Sequence, residues 1–239
     1  MIKLDILAFG AHPDDVELGC AGTLAKEISL GKKVGIIDLT RGELGTRGSA
    51  TERDEEAKEA AKILGVSIRE NLQLKDGFFQ NDEASQRLIV EKVRQYQPDI
   101  VLCNAIKDRH IDHGKGSQLV SHACFLSGLR KIESHFQNVW QEPWRPHHIY
   151  HYIQWENISP DFVVDVSAFM DKKLAAVFAY KTQFFDPQSE APITPIATQN
   201  FKESITYRAK DLGRLVGVDY AEGFTVERVI AIDNLSKIK

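Results

Sequence analysis

Residues 4–15 read LDILAFGAHPDD, an apolar run that breaks abruptly into histidine, proline and two aspartates. The apolar part, LDILAFGA (4–11), has the length and composition of a strand buried on both faces. The stretch that follows, VELGCAGTLAKEISL (16–30), places Leu18, Ala21, Ala25 and Ile28 on one helical face, with Gly31 as a stop. Strand, acidic turn and helix thus form the first unit of an alternating chain.

The rhythm continues outward from it. KVGIIDLT (33–40) reads as a second strand, and RGELGTRGSA (41–50) as a glycine-rich basic loop. Thr51 with Asp54 resembles a capping box, opening a helix that runs to Leu64 with Gly65 just past its end. SIRENLQL (67–74) is a third strand, a helix near 83–96 stops before Pro98, and DIVLCN (99–104) is a fourth strand. A loop and a helix over about 114–131 complete a regular half. This alternation predicts an α/β fold, a Rossmann-like doubly wound and mostly parallel sheet with helices on both faces.

The second half is less regular. HHIYHYIQ (147–154), FVVDVS (162–167) and YAEGFTVERVIAI (220–232) read as strands, and 168–184 and 201–216 as helices. Between them, residues 184–200 hold three prolines and little periodicity, which predicts a long ordered loop serving as a lid or an interface. One domain over 1–239 is expected, with a core over 1–131 and an extension over 132–239.

Bulk properties exclude several classes. A formal net charge of −4 leaves no electrostatic footprint for nucleic acid or an anionic membrane. No apolar run approaches the roughly 18 residues that span a bilayer. The N-terminus reads as a first strand and not as a signal peptide. Three cysteines, Cys20, Cys103 and Cys124, lack metal-ribbon or redox spacing and are expected as buried thiols in a cytoplasmic protein.

In the expected strand order 3-2-1-4-5, strands 1 and 4 are neighbours, and their carboxyl ends flank the crevice where such folds bind ligands. AHPDD (11–15) follows strand 1, and DRHIDHG (108–114) follows strand 4. The topology therefore brings both polar islands together. Histidine and aspartate without thiolate suit zinc, and a catalytic zinc takes three protein ligands. In HPDD, one of Asp14 and Asp15 can ligate while the other faces the attacking water. In HIDH, His113 could ligate while His110 stands beside the substrate, with Asp112 orienting one of the two.

The stretches ILAFGAHPDDVELGCAGT (6–23), IIDLT (36–40), RDEEAKEAAKILGV (53–66), DRHIDH (108–113) and DYAEGF (219–224) resemble the zinc-dependent de-N-acetylases of the LmbE / PIG-L type. Among these, the chain is most similar to the bacillithiol biosynthesis deacetylases. It departs from the family pattern at Val16, where Glu often follows AHPDD, and at Ile111, where HPDH is usual.

The resemblance implies that His12, Asp15 and His113 bind one Zn2+; by their ligand chemistry the same residues would also accept Fe2+ or Co2+. It implies Asp14 as general base and His110 as the electrostatic or acid partner; a hydrogen bond from Asp112 to His110 would favour the imidazolium and so an acid role. It also implies N-acetylglucosaminyl malate as substrate, and a homo-oligomer, in related deacetylases often a hexamer. A dicarboxylate aglycone calls for cations, and Arg53 and Arg109, then Arg47 and Arg41, are the candidates, with Arg145 a more distant one.

Other readings are weaker. Another N-acetylglucosamine compound or a chito-oligosaccharide would use the same chemistry. A metallophosphoesterase needs a second metal and about twice the ligand set. A dinucleotide site needs glycines where this chain has GAHPDD. HHIYH (147–151) reads as a strand edge, EEAKEAAK as a solvated helix face, and Glu222 either as a site residue or as part of a turn before the last strand.

Overall fold

The structure is a computed structural model that describes residues 2–232 and 234. A seven-stranded sheet runs in the order β3-β2-β1-β4-β7-β9-β8. Its strands are β1 (Ile6–Gly10), β2 (Val34–Thr40), β3 (Ile68–Leu74), β4 (Ile100–Cys103), β7 (His148–Tyr152), β8 (Phe162–Asp165) and β9 (Ala221–Val226). The run from β3 to β7 is parallel, whereas β9 pairs antiparallel with both β7 and β8. A two-stranded ribbon, β5 (His135–Phe136) with β6 (Val139–Trp140), stands apart. The order expected for the first five strands is the one found.

Both faces are covered. Leu7 and Phe9 of β1 join Ile37, Leu39, Val101 and Cys103 under α3 (Glu83–Tyr96) and α4 (Ile111–Ser127). Ile6 and Ala8 point the other way, as alternation along a strand requires, and pack under α1 (Asp15–Ser29). A third cluster joins α2 (Ala50–Leu64), α5 (Met170–Val177) and α6 (Gln199–Arg214) through Ala57, Val177, Tyr180 and Ile205. All three cysteines are buried.

Local chemistry moves several boundaries. The capping box of α2 is Ser49 with Glu52, not Thr51 with Asp54: Ser49 N–H donates to Glu52 Oε2 at 2.8 Å, and Glu52 N–H to Ser49 Oγ at 3.2 Å. Helix α4 starts at Ile111 and not near 114, because the His110 ring accepts the Asp112 N–H and serves as its cap. The apolar run 168–184 forms a single 3-10 turn and the short α5, which ends at Val177. The last strand stops at Val226.

HHIYH is not a sheet edge, since β7 lies between β4 and β9. Nor is Glu222 in a turn. It lies inside β9, 2% exposed, and repairs a break in α1 at Cys20 (φ −147°, ψ 17°). Its carboxylate accepts from Gly22 N at 2.9 Å, Thr23 N at 2.7 Å and Lys173 Nζ at 2.6 Å, while Lys173 also donates to Leu18 O at 2.8 Å. Groups that the broken helix leaves unpaired are thereby satisfied. The Tyr152 ring packs against α1 at Gly19, where a Cβ would lie 2.1 Å from the ring.

Candidate metal centre and catalytic site

The turn between β1 and α1 carries His12, Asp14 and Asp15, and the segment after β4 carries His110 and His113. Nitrogens of His12, His110 and His113 lie within 4.8 Å of one another. Asp15 reaches both islands, with Oδ1 3.1 Å from His113 Nε2 and Oδ2 3.5 Å from His12 Nδ1. The two stretches of sequence do meet.

Asn104, directly after β4, ties them together. Its Oδ1 accepts from Ala11 N at 2.8 Å and its Nδ2 donates to Asp15 Oδ2 at 3.0 Å. His12 N–H donates to the same Oδ2 at 2.9 Å, so Oδ1 is the oxygen that faces His113. Gln154 Nε2 also donates to Oδ1, at 2.7 Å.

Lone-pair accounting tests whether these residues fit a divalent cation. His113 Nδ1 lies 2.8 Å from Asp108 Oδ2, which can only accept, so Nδ1 holds the hydrogen and Nε2 is free to ligate. His12 Nε2 lies 3.2 Å from Asp76 Oδ1 and 3.4 Å from Asp112 Oδ2, which leaves Nδ1 free in the same way. Each histidine thus has a carboxylate behind it and a ligating nitrogen toward Asp15. The set fits a cation of the zinc type.

Charge is arranged accordingly. Burial lowers the His113 pKa, but Asp15 and Asp108 outweigh it and raise it to about 9. His12 is also raised, against burial, by Asp112, Asp15 and Asp76. Burial works to raise Asp15, yet His113 and His12 hold it well below the usual carboxylate range.

Asp14 is set apart from them. It precedes α1 with φ 112°, a left-handed conformation that costs a non-glycine residue about 1–3 kcal/mol and marks functional turns. Its side chain does not cap the helix; it accepts from Arg53 Nη2 at 3.1 Å. Burial pushes the Asp14 pKa up to about 7, and Arg53 is the main influence holding it down. Arg53 Nη2 donates to Pro13 O at 2.7 Å as well. His110 is driven to about 4 by burial and by the charges of His12 and His113. Its Nδ1 accepts from Asp112 N at 3.3 Å, so the neutral ring carries its hydrogen on Nε2.

A cavity of about 410 Å³ opens on this group, with Arg109, Trp155, Ile205 and Arg208 among its walls and Thr194, Pro195 and Ile196 contributed by the 184–200 loop. The expected arginines divide. Arg109 is exposed and lies over the Trp155 ring at 4.6 Å. Arg53 is 5% exposed and turned to Asp14. Arg47 donates to Thr182 O at 2.7 Å, Pro192 O at 3.0 Å and Ser189 Oγ at 2.9 Å, holding the long loop over the cavity. Arg41 pairs with Asp54 away from the cavity lining, its Nε 3.1 Å from Asp54 Oδ2, and Arg145 borders a different cavity. Asp112 addresses His12, and not the His110 ring through its carboxylate. Asp76, Asn104, Asp108, Gln154 and Arg208 have roles here that the sequence reading missed. Asp108 opens the DRHIDHG motif, whereas Asn104 and Gln154 stand in the sequence only as the last residues of expected strands.

The profile of the family described as PIG-L: GlcNAc-PI de-N-acetylase matches residues 7–124. Diacetylchitobiose deacetylase of Thermococcus kodakarensis is 30% identical over 189 residues, which span 75% of this chain and 70% of that protein. The chain belongs to the PIG-L de-N-acetylase family.

Among solved structures of like fold, the conserved protein TT1542 from Thermus thermophilus superposes with a TM-score of 0.84 at 36% identity, over 96% of this chain and 98% of that one. A further relative, 4-oxalmesaconate hydratase of Pseudomonas putida, is 27% identical over 187 residues, 72% of this chain and 70% of that protein. The matched PIG-L segment, 7–124, contains both polar islands and ends within α4. No helix among the described residues is long and apolar enough to cross a membrane.

Proposed function

We propose that this PIG-L family member hydrolyses the N-acetyl group of an N-acetylglucosamine conjugate, with zinc held by His12 Nδ1, Asp15 Oδ1 and His113 Nε2. The observation that carries the reading is the buried Asp14–Arg53 pair at 3.1 Å beside that donor set. Zinc, when bound, would acidify a water molecule and polarise the acetyl carbonyl.

Asp14, whose carboxyl Arg53 holds down against the push of burial, accepts the proton of the attacking water. His110 is neutral with its hydrogen on Nε2, so it serves as a hydrogen-bond donor to the developing oxyanion and not as a cationic acid. The proton needed by the departing amine then comes back from Asp14, whose pKa of about 7 suits both directions of transfer.

The substrate we favour is N-acetylglucosaminyl malate, in a cytoplasmic bacillithiol pathway. Arg109 supports it: an exposed guanidinium over Trp155 on the cavity wall can take a carboxylate with two parallel hydrogen bonds. The test is acetate release by purified protein from N-acetylglucosaminyl malate and from diacetylchitobiose, before and after chelation and zinc restoration. Zinc-restored release from the malate conjugate upholds the reading. Release from chitobiose alone would move the substrate to oligosaccharides. Release from neither, with zinc bound, would favour hydration chemistry of the kind named for the Pseudomonas relative.

A further inference from the structure

Behind Asp15 a line of buried polar groups crosses to the far side of the sheet. Asn104 begins it. Its amide orientation is fixed by an obligate donor, Ala11 N–H, on one side and a carboxylate, Asp15 Oδ2, on the other. The Asn104 carbonyl lies just beyond Cys103↔His151, the last registered pair of β4 with β7, and its partner is the His151 ring. His151 Nδ1 is 3.1 Å from Asn104 O, and Nε2 is 3.0 Å from Glu227 Oε1.

A carbonyl oxygen and a carboxylate can only accept hydrogen bonds, so a ring that bonds both Asn104 O and Glu227 carries hydrogen on both nitrogens and is an imidazolium. Ser117 Oγ at 2.9 Å and Cys103 Sγ at 3.2 Å complete its surroundings. His151 is 3% exposed. A cation this deep needs an acceptor beside it, and Glu227 supplies a carboxylate at 3.0 Å.

We infer that His151, held in its charged form by Glu227, is a positioning residue for the metal-binding carboxylate of Asp15 and acts through Asn104. The inference rests on the proposed role of Asp15 as ligand. Oδ2 of Asp15 is occupied by His12 N–H and Asn104, and this is what turns Oδ1 toward His113. If Asn104 moves, Oδ2 loses a donor and the carboxylate can rotate about its last bond. The imidazolium prevents this by pinning the Asn104 carbonyl where the strand ladder has ended.

Electrostatics point the same way. Burial lowers the His151 pKa, but Cys103 and Glu227 carry it up to about 11. Glu227 is lowered against burial by His151, with smaller help from Ser121 and His122. No other titratable group figures among the main influences on the ring, so the pair stays charged across neutral pH.

The test compares zinc affinity, by chelator competition on folded protein, for the wild type, Glu227→Gln, Asn104→Ala and the double variant. Glu227 is exposed and outside the catalytic cavity, so Glu227→Gln leaves the donor set itself untouched. Second-layer partners of metal ligands typically change affinity about 10–100-fold. We expect a loss of about tenfold for Glu227→Gln and more for Asn104→Ala, with the double variant no weaker than Asn104→Ala alone.

Unchanged affinity in Glu227→Gln, or additive losses in the double variant, overturns the inference while leaving the proposed function intact. A wild type that takes up no zinc overturns both. Independently of metal, ring ¹⁵N NMR with His151→Gln for assignment should find both His151 nitrogens protonated at about pH 8, above the ordinary histidine range. A neutral ring there also overturns it.

Discussion

Arg53 donates to Asp14 at 3.1 Å across 39 positions of sequence, and both side chains are buried. Arg53 thus lines the cavity and contacts the proposed base at the same time. Replacing Arg53 by Ala removes the main influence that lowers the Asp14 pKa, so that pKa rises. The acid limb of the kcat/KM profile should then move to higher pH. A profile that keeps its limb while losing amplitude would mean that Arg53 only shapes the pocket.

Asp14→Asn should lower kcat by about 10²–10⁴-fold, the range of a general base, with zinc content unchanged. Metal analysis alongside turnover checks this. Loss of zinc together with activity would place Asp14 among the ligands.

Metal uptake should release protons. Without metal, His113 is protonated at neutral pH because Asp15 and Asp108 raise it to about 9. Zinc needs its Nε2 lone pair, so affinity should rise as pH increases toward that value. Calorimetry in buffers of different ionisation enthalpy counts the protons. A pH-independent affinity near neutrality would contradict the arrangement.

Arg109→Ala should raise KM for N-acetylglucosaminyl malate and leave KM for N-acetylglucosamine itself nearly unchanged. Equal losses on both would assign Arg109 to the architecture of Trp155 and not to the aglycone.

Glu222→Ala leaves Lys173, 3% exposed, without its carboxylate partner, and strips the broken α1 of its acceptor. Losing one member of a buried pair costs about 3–5 kcal/mol. Urea unfolding of the variant should show a loss of that size, and a change below ~1 kcal/mol would mean that α1 holds its break without help.

A pH series separates the His151–Glu227 pair from general stability. Glu227, lowered in the folded state, contributes stability present above the usual glutamate pKa and lost as pH falls through its own. His151, raised, contributes stability complete below the usual histidine pKa and lost as pH rises through about 11. The stability gap between wild type and Glu227→Gln should be widest between the usual glutamate and histidine pKa values, roughly pH 4.5 to 6.5, and shrink on both sides.

The local sequence determined the alternating elements, because apolar periodicity and turn residues act within a few positions. It also determined that His12, Asp14, Asp15, His110 and His113 share one crevice, because parallel strands 1 and 4 must be neighbours in a doubly wound sheet. Tertiary structure alone decided what stands behind them. Asp76 and Asp108 orient the histidines, Asn104 fixes Asp15, and Arg53 turns inward to Asp14 while Arg41 turns away. The same holds for Glu222, which looks like a turn residue and instead mends a helix about two hundred positions earlier. Ligand types and their spacing are local properties of a chain. The partners that set a ligand's proton and orientation are chosen by burial, which forces each polar group to find whatever complement the fold brings within about 3 Å.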